Sequence, residues 1–490
     1  MTTTAEPRRS AVEVRSIDYV PLAERHGKLW HLGPLWFMSN AQIATLAVGV
    51  LGVGAGGNLI WSLVAILLGV VVGTFFMAAH CSQGPQLGLP QMIQSRPQFG
   101  YVGAILVWLF AYLQYAGFNV FNTLLASESV TTVTGGGIGQ VRFWLIVGTA
   151  LAAAAAIFGY DLIHRMEQAL TYGFLLLFGI LTIIVLTLHY PAGSFSLSNF
   201  DLTPFLLQFS VVAGYQISWA IYVSDYSRYL PPEVTIRKTF LWTYGGSALG
   251  AVWIMFIGSA LAAWAGLSFS GTGIAELHDV GNEFFNGFGG IILLYAAAGL
   301  LSVTALNMYG GSLTLISALD SFKKVRPTLA VRLSMIAFTA ALSLVVALAV
   351  ANNDSFQANF SNFLLLVLYF FIPWTAVNLV DFFIVRKGHY AIAEIFKPDG
   401  IYGRWGWRGI ISYLVGFVAM TPFFSTEHYS GWVANAAHGA DYSLFVGLPV
   451  SGLLYWWLCR SVDTEAEARL AEEQADILER EAMAHERTEG

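Results

Sequence analysis

Four stretches of the chain set neutral polar side chains inside otherwise apolar runs, and these residues have the most chemistry to offer. Asn40 and Gln42 interrupt the run LWFMSNAQIATLAV. Gln114, Phe118 and Asn122 recur every four residues, which stacks them on one face of a helix. Gly214, Tyr215 and Gln216 stand together with Trp219 one turn on, and Ser302, Thr304 and Asn307 form a fourth group. A carboxamide offers donors and an acceptor, and an aromatic ring offers a flat apolar face. Together they suit a flat, uncharged heterocycle with hydrogen-bonding edges. Any one of them alone would serve equally as a hydrogen bond between helices. Polar groups are costly in hydrocarbon and turn towards a bundle interior or cavity, so four groups at similar depth predict one shared cavity.

Reaction chemistry is not written in the same way. The chain has no HExxH, GxSxG or Walker A sequence. Gly52, Gly54 and Gly57 fit GxGxxG, but at the end of an apolar span rather than between a strand and a helix, which rejects a dinucleotide site. They are expected to loosen a helix end and turn the chain. The pairs Gly69/Gly73 and Gly246/Gly250 are GxxxG spacings that predict close helix packing. No nucleophile, metal cluster or acid–base pair is evident, so neither an enzyme nor a cofactor is expected. A channel or a receptor stays open on these residues alone.

The elements that must position these groups are transmembrane helices. Of 490 residues, 56% are hydrophobic and only 11% are charged, well below the share in a water-soluble domain. A helix needs about 20 mostly apolar residues to cross the hydrocarbon core. Such segments lie near 32–55, 58–79, 101–126, 141–159, 168–188 and 203–224, then near 238–265, 287–317, 329–350, 360–385, 409–424 and 443–459. That predicts about 12 helices in a transmembrane domain over 31–460. It follows a polar segment, 1–30, that lacks the apolar core of a signal peptide. Basic residues fall in alternate loops: Arg96, Arg165, Arg228 with Arg237 and Lys238, Lys323 to Arg332 including Arg326, and Arg386 to Arg408. Only Arg142 falls on the opposite side, so the positive-inside rule places both termini in the cytoplasm of a plasma (inner) membrane. The net charge of −6 comes largely from the tail 461–490, which reads as a solvated acidic helix. Cys81 and Cys459 make no disulfide framework.

Five stretches stand out in order: LWFMSNAQ (35–42), GFNVFN (117–122), AGYQISWAIYVSDYSRYLP (213–231), LLSVTALNMYGG (300–311) and NFLLLVLYFFIPWTAVNLVDFFIVRKG (362–388). Through them the sequence resembles the nucleobase–cation symporter-1 family, in particular its purine–cytosine permease branch. The resemblance implies an all-α polytopic fold of the LeuT type. In it, helices 1–5 (near 32–188) and 6–10 (near 203–385) form an inverted five-plus-five repeat with helices 1 and 6 broken, and mid-span Gly214 is compatible with the break in helix 6. Helices 11–12 (near 409–459) follow.

It further implies that Gln42, Asn122 and Asn307 hydrogen-bond the substrate, that Phe118 and Tyr215 sandwich its ring, and that Gly214 lets the backbone come close. A sodium site would match Met38, Ala41, Ala298, Leu301 and Ser302. Leu301 replaces one expected hydroxyl, so the coupling ion is Na+ or H+, with Glu128 the nearest carboxylate for a proton. The function implied is cation-driven import of cytosine or a purine, with allantoin, hydantoins, thiamine or pyridoxine as alternatives. The expected partners are the small-molecule substrate and the bilayer; no nucleic acid and no obligate protein partner is evident. Asp225 with Arg228, and Asp381 with Arg386, are expected as helix-end anchors.

Overall fold

The computed structural model describes residues 17–158, 160–266, 271–325, 328–352 and 355–489. Residues 1–16 of the polar N-terminal segment and Arg326 of the basic loops lie outside them. The helices run in chain order as α1 (Leu32–Asn40), α2 (Ile43–Gly54), α3 (Leu59–Cys81), the short α4 (Gly84–Leu87) and α5 (Arg96–Phe99), α6 (Ile105–Thr134), α7 (Ile138–Phe158) and α8 (Tyr160–Thr187). The second half comprises α9 (Leu202–Ser218), α10 (Val223–Ser227), α11 (Ile236–Ala265), α12 (Ile274–Asn282), α13 (Phe288–Phe322), α14 (Leu329–Val350) and α15 (Phe356–Val380). After α16 (Ile392–Ile395) come α17 (Trp407–Met420), α18 (Trp432–Ala436), α19 (Ser443–Leu458) and the tail helix α20 (Thr464–Glu489).

Hydrocarbon leaves backbone groups no water to bond, so apolar runs of this length must close their hydrogen bonds internally as helices. Side chains mark several of the starts: Asn58, Asp201, Thr235 and Thr328 each accept a backbone N–H in the first turn of α3, α9, α11 and α14. Leu67, Leu68, Val71 and Phe75 of α3 are exposed while Gln114, Asn119 and Ser129 of α6 are buried, an arrangement suited to lipid outside and polar contacts within.

Among the described residues, eight helices are long and apolar enough to cross a membrane, and the bent pair α1–α2 makes a ninth. Three expected spans hold shorter helices: α9 with 17 residues, α17 with 14 and α19 with 16. Twelve crossings are reached only if these cross as well. An even number is in keeping with the chain ends, which meet on one face: the Tyr19 hydroxyl donates to Glu479 at 2.6 Å.

The inverted repeat, which the sequence does not display, is visible in the packing. α3 lies on α9, and the equivalent α11 lies on α1 and α2; α6 packs on α13 across the middle; α7 meets α13 as α14 meets α6. Both GxxxG pairs serve these contacts. A Cβ on Gly73 would fall 2.6 Å from the Ala213 carbonyl, and one on Gly250 would fall 2.5 Å from that of Phe37.

At one end, α15 relaxes into a π turn over Asp381–Val385. There Asp381 pairs with Arg386, as expected, and also accepts from Gln98 (2.6 Å), Tyr390 (2.8 Å) and Tyr455 (2.9 Å). The tail is helical as expected but not solvated throughout, because Glu467 is buried and takes the Arg386 Nε–H at 2.9 Å.

Candidate functional site

Two breaks create the site. α1 stops at Asn40, Gln42 is fully extended (φ −154°, ψ 166°), and α2 resumes at an angle of 56°. The chain of the sixth span breaks later than expected. α9 runs unbroken through Gly214 to Ser218, tightens over Trp219–Ile221, and turns at Tyr222 (φ −141°, ψ 8°) before α10. A break strands carbonyls, and side chains collect them. Gln114 Nε2 donates to the Ser218 carbonyl at 2.7 Å, and Gln42 Nε2 donates to that of Ser39 at 2.5 Å.

Asn40 and Gln216 do related work. Asn40 donates to Trp36 O and to Ser247 Oγ, both at 3.0 Å, and accepts from Gln216 Nε2 at 3.1 Å. Ser247 Oγ donates to Gln216 Oε1 at 3.0 Å, which closes the ring and ties the two broken helices to α11. Asn40, Gln114 and Gln216 are thus committed to holding the breaks, while Gln42 commits its Nε2 alone.

The others converge. Gln42, Phe118, Asn122, Tyr215 and Asn307 line one cavity, joined by Ser218, Trp219, Tyr222 and Val303. Gln42 Oε1, Asn122 Oδ1 and Trp219 Nε1 are buried there and find no hydrogen-bond partner among the described residues, which leaves two acceptors and a donor for a ligand. The aromatic rings stand edge to face: Phe118 to Tyr215 at 5.8 Å and 75°, Tyr215 to Trp219 at 6.0 Å and 84°, Trp219 to Tyr222 at 5.7 Å and 77°. The cavity measures about 10 Å³, room for about one water, so the rings fill their own slot and must part before a heterocycle lies between Phe118 and Tyr215. The Tyr215 hydroxyl is engaged by Thr45 Oγ1 at 2.7 Å.

Gly214 departs from the reading given it. A Cβ there would meet the Leu364 carbonyl and Leu368 Cβ, each at 3.0 Å, so its bare face serves close packing against α15 and not an approach to the cavity.

The positions matched to a sodium site are dispersed in role. Met38 and Ala41 are buried at the end of α1, with the Met38 carbonyl accepting Ala41 N–H at 3.0 Å. Ala298 and Leu301 are half-buried on α13, and Leu301 lies towards Gly148 of α7. Ser302 Oγ donates to Glu167 Oε1 at 2.8 Å. Glu167 was not singled out from the sequence, because the polar residues around Arg165 read as a loop, whereas α8 begins at Tyr160 and carries Glu167 into the bundle. Glu128 is half-buried near the C-terminal end of α6. Asp225 accepts the Gln91 N–H at 2.7 Å, and Arg228 donates to Tyr229 Oη at 3.2 Å.

Comparisons with known proteins agree with this architecture. Residues 19–447 match the model of a family described as permeases for cytosine/purines, uracil, thiamine and allantoin. YxlA of Bacillus subtilis (strain 168), provisionally named a purine-cytosine permease, is 38% identical over 452 residues, covering 92% of this chain and 96% of that protein. The purine-cytosine permease fcyB of Emericella nidulans is 24% identical over 469 residues, covering 91% and 87%. Mhp1, a nucleobase-cation-symport-1 family transporter solved in a closed conformation with bromovinylhydantoin bound, superposes with a TM-score of 0.72 at 17% identity, over 94% of this chain and 100% of that one. That last likeness concerns the fold, which is the LeuT-like five-plus-five arrangement derived above from the helix contacts. With the family model spanning nearly the whole membrane part and a relative at 38% identity end to end, the chain belongs to the family of permeases for cytosine/purines, uracil, thiamine and allantoin.

Proposed function

We propose that this chain imports a nucleobase, cytosine or a purine, by cation symport and alternating access. The observation that carries the reading is the cavity at the two helix breaks, where free amide oxygens of Gln42 and Asn122, the Asn307 side chain and the Phe118 and Tyr215 rings converge. A base has a flat face for the rings and ring-edge N–H and C=O groups for the amides. Gln42, Asn122 and Asn307 would read that edge, while Trp219 Nε1 would supply one further donor. Opening parts the rings, the base docks, closure returns the aromatic contacts around it, and rocking of the repeats releases it on the other side.

Residues 31–460 would form the transporter domain of a plasma (inner) membrane protein with both termini in the cytoplasm, and 461–490 its tail. The coupling ion is Na+ or H+, with the sodium candidates as placed above.

The test is competition uptake in cells lacking their own nucleobase permeases. Labelled cytosine, adenine, hypoxanthine, uracil and allantoin would be supplied with and without a sodium gradient and with a protonophore. Saturable, concentrative uptake of a base supports the symporter. Flux that never exceeds equilibration would make the chain a channel, and binding without flux would make it a receptor. Uptake confined to allantoin or a vitamin heterocycle would keep the mechanism and replace the cargo.

A further inference from the structure

None of the residues around the cavity comes from α17 or α19, yet where these two helices end beside the tail they build a surface of their own. α17 starts at Trp407, α19 stops at Leu458, and the two pack against each other. Arg408 ties their ends together. Its Nε donates to the Leu458 carbonyl at 3.1 Å and its Nη2 to Ser461 Oγ at 3.2 Å. Just past α19 the Arg460 guanidinium lies over the Trp456 ring, 4.2 Å from its centroid. The segment that leads into α17 is pinned by its backbone. The Gly403 and Arg404 carbonyls accept the N–H groups of Tyr101 and Val102, each at 2.9 Å, and Gly406 N–H donates to the Phe99 carbonyl at 2.7 Å.

Trp405, Trp407, Trp456 and Trp457 are all exposed around this joint. Exposed indoles on a membrane protein belong at the depth of the lipid headgroups, where the ring meets apolar matter and the N–H meets water. One turn deeper into each helix, Ile411 and Leu453 are exposed on the faces of Trp407 and Trp457, so the surface continues into the acyl region.

Charge decides which lipid suits it. Arg404 is balanced by Asp399 at 3.1 Å, Arg469 by Glu465 at 3.7 Å, and Asp463 accepts the Ala466 N–H at 2.9 Å. Arg408 and Arg460 are exposed and take part in no ion pair among the described residues. The acidic tail docks elsewhere, with Glu467 on Arg386 and Gln474 on Glu394. Two uncompensated guanidiniums beside exposed indoles complement a phosphodiester anion at headgroup depth. A headgroup that carries its own ammonium offsets that attraction.

We propose that the joined ends of α17 and α19 are a docking site for an anionic glycerophospholipid of the adjoining leaflet. Its phosphodiester sits between Arg408 and Arg460, and its acyl chains run along Ile411 and Leu453. The lipid bridges the two helices that stand outside the inverted repeat and fixes them to the bilayer.

The test uses the full chain, stripped of lipid in a neutral detergent, with dioleoylphosphatidylglycerol and dioleoylphosphatidylcholine as probes. Native mass spectrometry counts the lipid retained. The wild type is expected to prefer phosphatidylglycerol by about five- to thirtyfold, the worth of one to two arginines at a membrane surface. Arg460→Gln removes a side chain with no hydrogen bond among the described residues, so the fold should survive and the preference should fall about fivefold. The double variant Arg408→Gln/Arg460→Gln should lose it, and Arg404→Gln, whose charge is already paired, should keep it. Equal retention of both lipids by the wild type, or an undiminished preference in R460Q, overturns the proposal. So does an equal fall in R404Q, which would show a diffuse field instead of a site. Displacement of the lipid by matched inorganic phosphate would make this a general anion site, and displacement by a polyglutamate peptide a protein-docking surface; either result overturns the lipid assignment. Every arm is read without cargo, so the outcome is independent of the nucleobase reading.

Discussion

At the scale of single residues, the site separates amides that read a ligand from amides that hold the fold. Asn307 lines the cavity, so Asn307→Ala should weaken base binding by about 1–3 kcal/mol, about five- to 150-fold, at unchanged expression in a competition binding assay. Tyr215 gives the contrasting case. Its ring faces the cavity but its hydroxyl belongs to Thr45, so Tyr215→Phe should leave affinity within about twofold and cost about 1 kcal/mol of stability, read as an earlier unfolding midpoint. This division was only partly legible in the sequence. Helical spacing put Phe118 and Asn122 on one face, and the structure keeps them together. Spacing could not show that Gln114, four residues before Phe118, spends its amide on the stranded Ser218 carbonyl, because that carbonyl exists only once another helix has broken.

At the scale of elements, the apolar spans were readable because hydrocarbon thickness imposes their length, and most ends fall within a few residues of the expected ones. The break in the sixth span was not. Gly214 drew attention as a weak point, yet α9 passes straight through it, and the chain turns at Trp219–Tyr222, where no glycine occurs and captured carbonyls stabilise the turn. Glu167 escaped for a related reason: a charged cluster lowers hydropathy whether it sits in water or is buried. The glycine pairs bear a direct test. Gly73→Ala and Gly250→Ala each drive a methyl into a facing carbonyl in equivalent contacts of the two repeats, and each should cost about 1–3 kcal/mol by overpacking, seen as a lower unfolding midpoint in detergent. Gly245 has open space beside it, so Gly245→Ala should be neutral or stabilising by about 0.5–1 kcal/mol.

At the scale of the molecule, the two chain ends and the end of α15 form one assembly. Glu467 of the tail binds Arg386 and Tyr402, Gln474 donates to Glu394 at 2.9 Å, and Glu479 holds Tyr19. Removing the carboxylate in Glu467→Ala should loosen α20 by about 1.5–3 kcal/mol, the worth of hydrogen bonds to a charged group, and trypsin should then cut after Arg469 and Arg480 faster than in the wild type. The acidic composition announced a helix here but not its docking, since the partners lie far away in sequence.

The small volume of the cavity bears on the half of the cycle in which nothing is carried. A symporter that has delivered its cargo must turn back unloaded, and a binding chamber that stayed wide would ferry water and stray ions on each return. A chamber that contracts to the room of about one water as Phe118, Tyr215, Trp219 and Tyr222 close on one another is nearly leak-proof during that stroke. The same contraction must be undone before a base can dock, so apparent affinity is the intrinsic affinity scaled by the fraction of open carrier. Tight recoupling on the return and modest affinity on the way in are, on this geometry, two faces of one packing arrangement.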